Sequence, residues 1–266
     1  VKKKNLWRGL CATMVLVFSL TMFGQSLAFT REGDINLFLG TMPPTIQATD
    51  DTTYIKSDYA SMDEMRADLE SYLIQSQIEG SVLLRNENNA LPLAAGASVT
   101  LFGYAAATPV YHGGSGGPPN DGVNLFDALK EAGAQVNQTV YDAIVAAGGT
   151  RTKTGLIGEI PASAYAGTES SFSQYGDAAI YVMSRYGGEE GDLNHGLQDD
   201  WQEGPAGVPE LSIHQEEIDT LEMIRDSGAF DKIIVVVNSG YAMELGWLAD
   251  YGVDACLWVG YPGNYG

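Results

Sequence analysis

The sequence predicts an α/β fold, with a mostly parallel sheet and helices on both of its faces. Three observations carry this. Four short runs, "VTLFGY", "AAIYVMS", "KIIVVVNSG" and "ACLWVG", are apolar nearly throughout instead of alternating. Strands covered on both faces read that way, and parallel sheets are built from them. Stretches with helical spacing lie between these runs, the alternation expected of a layered α/β structure. Each apolar run also leads into a loop rich in glycine and polar residues.

The elements follow in chain order. Residues 1–28 begin with Lys2, Lys3, Lys4 and Arg8, continue through an apolar run from Leu10 to Leu20, and close on Ser26-Leu27-Ala28. This is the layout of a secretory signal peptide. An uncleaved membrane anchor is the alternative, because Leu10 to Phe29 is about long enough to span a bilayer. Either reading places the rest of the chain outside the cytoplasm, secreted or held at the cell surface. Residues 29–60 are polar, Thr/Asp-rich and contain Pro43-Pro44, as in a lead-in or linker. Residues 61–266 form the expected α/β domain. Ser61 and Glu64 fit a capping box, and Met65, Leu69, Tyr72 and Leu73 follow on one helical face. "SVLLRNENNALPL" reads as a short strand with a turn-rich centre. After the first buried strand, "NLFDALKEAG" predicts a helix with Asn124 as N-cap and Gly133 just past its end. After the second, "LSIHQEEIDTLEMIRDSG" predicts another helix. Ser212 and Gln215 would form its capping box, and Ile218, Leu221 and Ile224 its stripe. "AMELGWLAD" predicts a short helix before the last strand.

Composition bounds the partners. The 266 residues are 45% hydrophobic and 18% charged, which is globular, and the net charge is −20. That excess of acid disfavours nucleic acid and anionic lipid. A membrane contact is expected only if the N-terminal segment stays uncleaved. Of the two cysteines, Cys11 lies in the export segment and Cys256 in an apolar run, so a packed core rather than disulfides is expected to hold the domain.

In open α/β sheets ligands bind beyond the carboxyl ends of the strands. Two of the loops there stand out. "GGEEGD" puts Glu189, Glu190 and Asp192 on a glycine loop straight after a buried strand. A solvated acidic turn is the bland reading. A Ca²⁺ loop has another spacing, and His195 is a single imidazole, so no metal is expected. The chemical reading is a general acid/base, in which neighbouring carboxylates raise the pKa of one carboxyl. "HGGSGG" holds Gly113, Gly114, Ser115 and Gly116. It is either a flexible linker or a loop whose backbone can approach a ligand or a neighbouring domain. It lacks the phosphate-loop pattern and Pro118-Pro119 follow, so no nucleotide cofactor is expected. Ser239 in "VVNSG" has no nucleophile elbow around it, which argues against a serine hydrolase.

Together these motifs are more specific than any one of them. "EGSVLLRNENNALPL", "VTLFG", "GGSGG", "VNLFDALKEAG", "SRYGGEEGD", "VVVNSGYAMELGWL" and "GYPGNYG" occur in this order between Glu79 and Gly266. In them the chain resembles the C-terminal-type (α/β)6 sandwich domain of glycoside hydrolase family 3. The resemblance implies a retaining β-glycosidase of β-glucosidase or β-xylosidase type, acting on β-linked oligosaccharides or glycosides from the non-reducing end, without a cofactor. It implies a nucleophilic aspartate on a (β/α)8 barrel and an acid/base glutamate in a "G-E-G-x-D"-like loop of the sandwich. That glutamate falls on Glu189, after Gly188 and three residues before Asp192. Glu190 stands where the family usually has glycine, and is the alternative. Gly113, Gly114, Ser115, Gly116 and Asp192 become the expected cleft loops. A barrel needs about 250 residues, and only residues 1–78 precede Glu79. The expectation is therefore reversed domain order, with the barrel and its nucleophile beyond Gly266 and the sheet incomplete at its C-terminus. A non-catalytic sugar-binding or scaffolding module of the same fold is the other class of reading.

Overall fold

The computed structural model describes residues 2–39, 57–112, 122–151, 157–187 and 208–265. It divides into two compact units, residues 1–60 and 61–266.

The first unit holds helices α1 (Lys2–Thr30) and α2 (Glu32–Leu39). The stretch Lys3–Thr30 is long and apolar enough to cross a membrane, and none of it is buried. Helix α2 falls inside the stretch expected as lead-in, and residues 40–56 lie outside the described ones.

In the second unit the elements are α3 (Met62–Gly80), β1 (Val82–Asn86), β2 (Ser98–Phe102), α4 (Tyr104–Ala107), α5 (Leu125–Glu131), β3 (Gln135–Val136), α6 (Gln138–Ala147), β4 (Thr150–Arg151), β5 (Ile157–Gly158), β6 (Ala178–Arg185), α7 (Gln215–Ser227), β7 (Ile233–Ser239) and β8 (Ala255–Trp258). One six-stranded sheet runs in the order β1-β8-β7-β6-β2-β3, and β4 and β5 make a separate pair. All neighbours in the large sheet are parallel except β1, which runs antiparallel to β8 at the edge. The expected α/β class is therefore the observed one.

The centre of the sheet explains its stability. All eight residues of β6 are buried, so both of its faces are covered. Its register with β7 runs unbroken from Ala179↔Ile233 to Arg185↔Ser239. Phe102 at the end of β2 meets Tyr165, Phe172 and Phe230 at 5.2, 5.6 and 5.7 Å, each near edge-on. That is the favourable arrangement for aromatic quadrupoles. Helix α6 buries Val140 and Ile144, and α7 buries Leu221 and Ile224. Trp247 and Trp258 pack against this core.

Caps decide where helices begin. The Asn124 side chain accepts from Asp127 N, and Gly133 follows α5 at φ +91°. Ser61 accepts from Glu64 N, yet α3 buries no residue, and Leu69 and Tyr72 of its expected stripe are exposed. Helix α7 starts later than expected. Its N-cap is His214, and Glu217 accepts from His214 N at 2.8 Å. The Ser212 hydroxyl instead donates to Glu244 at 3.0 Å. The short helix expected before β8 is a single 3₁₀ turn, Gly246–Ala249.

Candidate active-site edge of the sheet

From β2 the chain moves outward to β3, then returns to β6 on the other side of β2 and continues to β7 and β8. The direction of winding therefore reverses between β2 and β6. In sheets of this kind, ligands bind outside the carboxyl ends at such a switch point. The segments after β2 and β6 leave from it side by side, with Phe102 opposite Tyr181 in the register. They are the two segments singled out by the sequence. Gly103 makes their close approach possible. It sits at φ +90°, and a Cβ there would lie 2.5 Å from the carbonyl oxygen of Val182.

Glu189, Glu190 and Asp192 lie outside the described residues, as do Gly113, Gly114, Ser115 and Gly116. What the structure describes is how each segment is rooted. The last residue of β6, Arg185, is buried and uses all five of its N–H groups. Nη1 donates to Glu217 Oε1 at 2.6 Å and to the Ser184 carbonyl at 2.9 Å. Nη2 donates to Glu217 Oε2 at 2.8 Å and to the Ser212 carbonyl at 2.7 Å. Nε donates to the Glu210 carbonyl. Burial works against the guanidinium charge, but the Glu217 carboxylate outweighs it and raises the Arg185 pKa. Arg185 thus joins the strand end before residues 188–207 to the residues just after them.

Tyrosines brace the same root. Tyr261 Oη donates to the Arg185 carbonyl at 3.3 Å and accepts from Gly187 N at 3.4 Å. Tyr241 lies against Gly187 so closely that a Cβ there would stand 2.3 Å from its hydroxyl. Asn238, near the end of β7, does the equivalent for the segment after β2. Its Oδ1 accepts from Val110 N at 2.6 Å, and its Nδ2 donates to the Val110 and Gly260 carbonyls at 3.0 and 2.7 Å. Gly263 N donates to the Tyr111 carbonyl at 2.7 Å, and Val123 N to the Asn264 carbonyl at 3.2 Å. Both ends of residues 113–121 are therefore tied to the exit of β8.

One half-buried acid in this region had no signature in the sequence. Glu159 Oε1 accepts from Tyr104 N at 2.8 Å and Ile160 N at 2.7 Å, and Oε2 accepts from Tyr181 Oη at 3.2 Å. Burial raises its pKa to about 7, with the nearby Glu217 charge adding to the rise and the hydrogen bonds opposing it. Its neighbour Tyr165, whose hydroxyl accepts from Gly103 N at 2.9 Å, is pushed up in turn, first by burial and then by Glu159. Ser239 spends its hydroxyl on a local turn with Tyr241. Among the described residues no cluster of three or more His, Cys, Asp or Glu could hold a metal.

The glycosyl hydrolase family 3 C-terminal domain profile matches residues 81–266. A beta-glucosidase of Ruminococcus albus is 30% identical over 198 residues, covering 71% of this chain and 19% of that protein. Among solved structures, a beta-glucosidase from Paenibacillus barengoltzii superposes with a TM-score of 0.57 at 22% identity, over 73% of this chain and 21% of its own. Beta-glucosidase 3B from Thermotoga neapolitana, solved with glucose, gives 0.55 at 24% identity, over 74% and 28%. These two likenesses establish the fold. The chain spans between about a fifth and under a third of the length of these relatives.

Proposed function

Because this chain belongs to glycosyl hydrolase family 3 and carries its C-terminal domain, we propose that it supplies the acid/base half of an exported, retaining β-glycosidase. Glu189 is the acid/base and Glu190 its alternative. The nucleophilic aspartate comes from a barrel domain outside these residues. The substrate is a terminal, non-reducing β-linked sugar of the glucoside or xyloside kind. The segment α1 directs export, with residues 61–266 as the sandwich.

The chemistry has two steps. The barrel carboxylate attacks the anomeric carbon as the glycosidic C–O bond breaks, and Glu189 gives its proton to the departing oxygen. Water then attacks the same carbon, Glu189 takes back a proton, and the glycosyl–carboxylate bond breaks. The two carboxyls must stand about 5–5.5 Å apart. The observation that supports the reading is the switch point: β6, whose last residue Arg185 stands four before Glu189 in the sequence, ends there, beside the exit of β2.

The test uses the full-length enzyme. Glu189→Ala should slow hydrolysis of an unactivated disaccharide about 10²- to 10⁴-fold, the usual worth of general acid–base catalysis. The first step with a dinitrophenyl glycoside, whose leaving group needs no proton, should change far less. Azide should restore turnover, because it attacks the covalent intermediate without base assistance. If Glu190→Ala shows this pattern and Glu189→Ala does not, the role moves one residue along. If neither does, the acid/base lies elsewhere.

A further inference from the structure

We infer that Arg185 is a positioning residue for this reaction, one that fixes the root of the acid/base segment through Glu217. The inference rests on the reading of Glu189 given above.

Glu189 is four residues beyond Arg185, and all but one of the acceptors of Arg185 lie on the far side of residues 188–207. They are the Glu210 and Ser212 carbonyls and both oxygens of Glu217. One planar group thus ties the end of β6 to residues 210–217, the two sides of a neck with Glu189 between them in the sequence. Glu217 is equally committed, because the oxygen that takes Nη2 also accepts from His214 N at 2.8 Å and so fixes the start of α7. Tyr261 braces the strand end from the exit of β8. Strand end, neck and helix start form one hydrogen-bonded unit.

A buried ion pair is a poor way to gain stability, since apolar residues of the same volume often do as well. What the guanidinium supplies is a fixed angle, through a planar fork that lysine's single ammonium cannot reproduce. A general acid delivers its proton only from within hydrogen-bond reach, and a displacement of about 1 Å at a reacting group can cost on the order of a hundredfold. A loosened neck should therefore weaken proton delivery and leave sugar binding and nucleophilic attack in place.

The experiment places Arg185→Lys in the full-length enzyme beside Glu189→Ala. Each variant is read as the ratio of its rates on the unactivated disaccharide and the dinitrophenyl glycoside, so that any unfolded fraction cancels. Arg185→Lys should lower kcat on the disaccharide about 10- to 100-fold with KM little changed. On the dinitrophenyl substrate the first step should change less than about threefold, and azide should recover turnover. Glu217→Gln, which keeps one acceptor oxygen, serves as the second variant if the lysine enzyme does not fold, and should shift the same ratio in the same direction. An unchanged ratio in a folded variant overturns the inference. If Glu189→Ala keeps the leaving-group dependence while Arg185→Lys lacks it, only the positioning role falls. If Glu189→Ala lacks it too, the reading beneath falls as well.

Discussion

Strands β6 and β1 are both largely apolar and meet opposite fates. Every residue of β6 is buried. In β1, Val82, Leu83 and Leu84 remain 45%, 50% and 48% exposed. The difference is position. β6 has hydrogen-bonded strands on both sides, β2 and β7, whereas β1 has only β8. Apolar character alone therefore does not identify the strands that hold this domain together. The deepest burial is in the middle of the sheet, which is also where the candidate site is rooted, and β1 lies at the edge.

The largest effect that would sharpen this contrast is at Met183 in β6, which is fully buried. Met183→Ala should cost about 2–5 kcal/mol, lost transfer energy plus a cavity in a site that cannot collapse. Denaturant unfolding with an unchanged m-value would measure it. A loss under about 1 kcal/mol would break the contrast from the β6 side.

The next effect appears as a pH dependence and concerns Glu159, whose carboxyl accepts from Tyr181 of β6. Its pKa is raised on folding from the ordinary 4.5 to about 7. Between those values the folded protein binds more protons than the unfolded chain, so this group's contribution to stability is fully present below pH 4.5 and falls as pH rises to about 7. Glu159→Gln keeps an oxygen for the amides of Tyr104 and Ile160 and an N–H for Tyr181. The melting temperature of the variant relative to the wild type should therefore rise from pH 5 to pH 8. A difference that stays flat or falls over that range would contradict the burial of this acid.

The smallest effect is at the edge. Leu83→Ala should change stability by no more than about 0.5 kcal/mol, the usual range for an exposed position without special contacts. A loss comparable to that of Met183→Ala would mean that β1 is covered in solution and would dissolve the comparison.

These differences bear on what could be read from the sequence. Local features were legible. Asn124 and Gly133 bound α5 where their side-chain and backbone chemistry requires, and the four apolar runs became β2, β6, β7 and β8. Features made by distant pairing were not. The sequence pattern at the start of α7 points to Ser212 with Gln215, and the structure caps the helix at His214 instead. The choice of His214 over Ser212 follows from Glu217 being held by Arg185, 32 residues earlier, while the Ser212 carbonyl serves the same guanidinium. No spacing rule reports such a bond. Helix α6 buries Val140 and Ile144 but follows a strand of only two residues, β3, with no apolar run to announce it. Glu159 is an isolated acid between Gly158 and Ile160 and becomes distinctive only when folding carries it to Tyr104 and Tyr181. At the site, the residue types and the strand before them were legible in the sequence, and the strand order adds that β2 and β6 are neighbours where the winding reverses.

The antiparallel pairing of β1 with β8 also sets an order of events during synthesis. Roughly 175 residues separate Val82 from its partner Trp258, and ribosomes add about 5–20 residues per second. Strand β1 thus leaves the ribosome some 10 to 35 s before the strand it will pair with exists. Throughout that interval it is a short apolar ribbon with both backbone edges open. The first strands able to meet in their final arrangement are β2 and β3, which are close in sequence and parallel. Pairing partners thus become available in the order β2–β3, β2–β6, β6–β7 and last, with β8, both β7–β8 and β8–β1, so the strand made first is the one whose partner is made last.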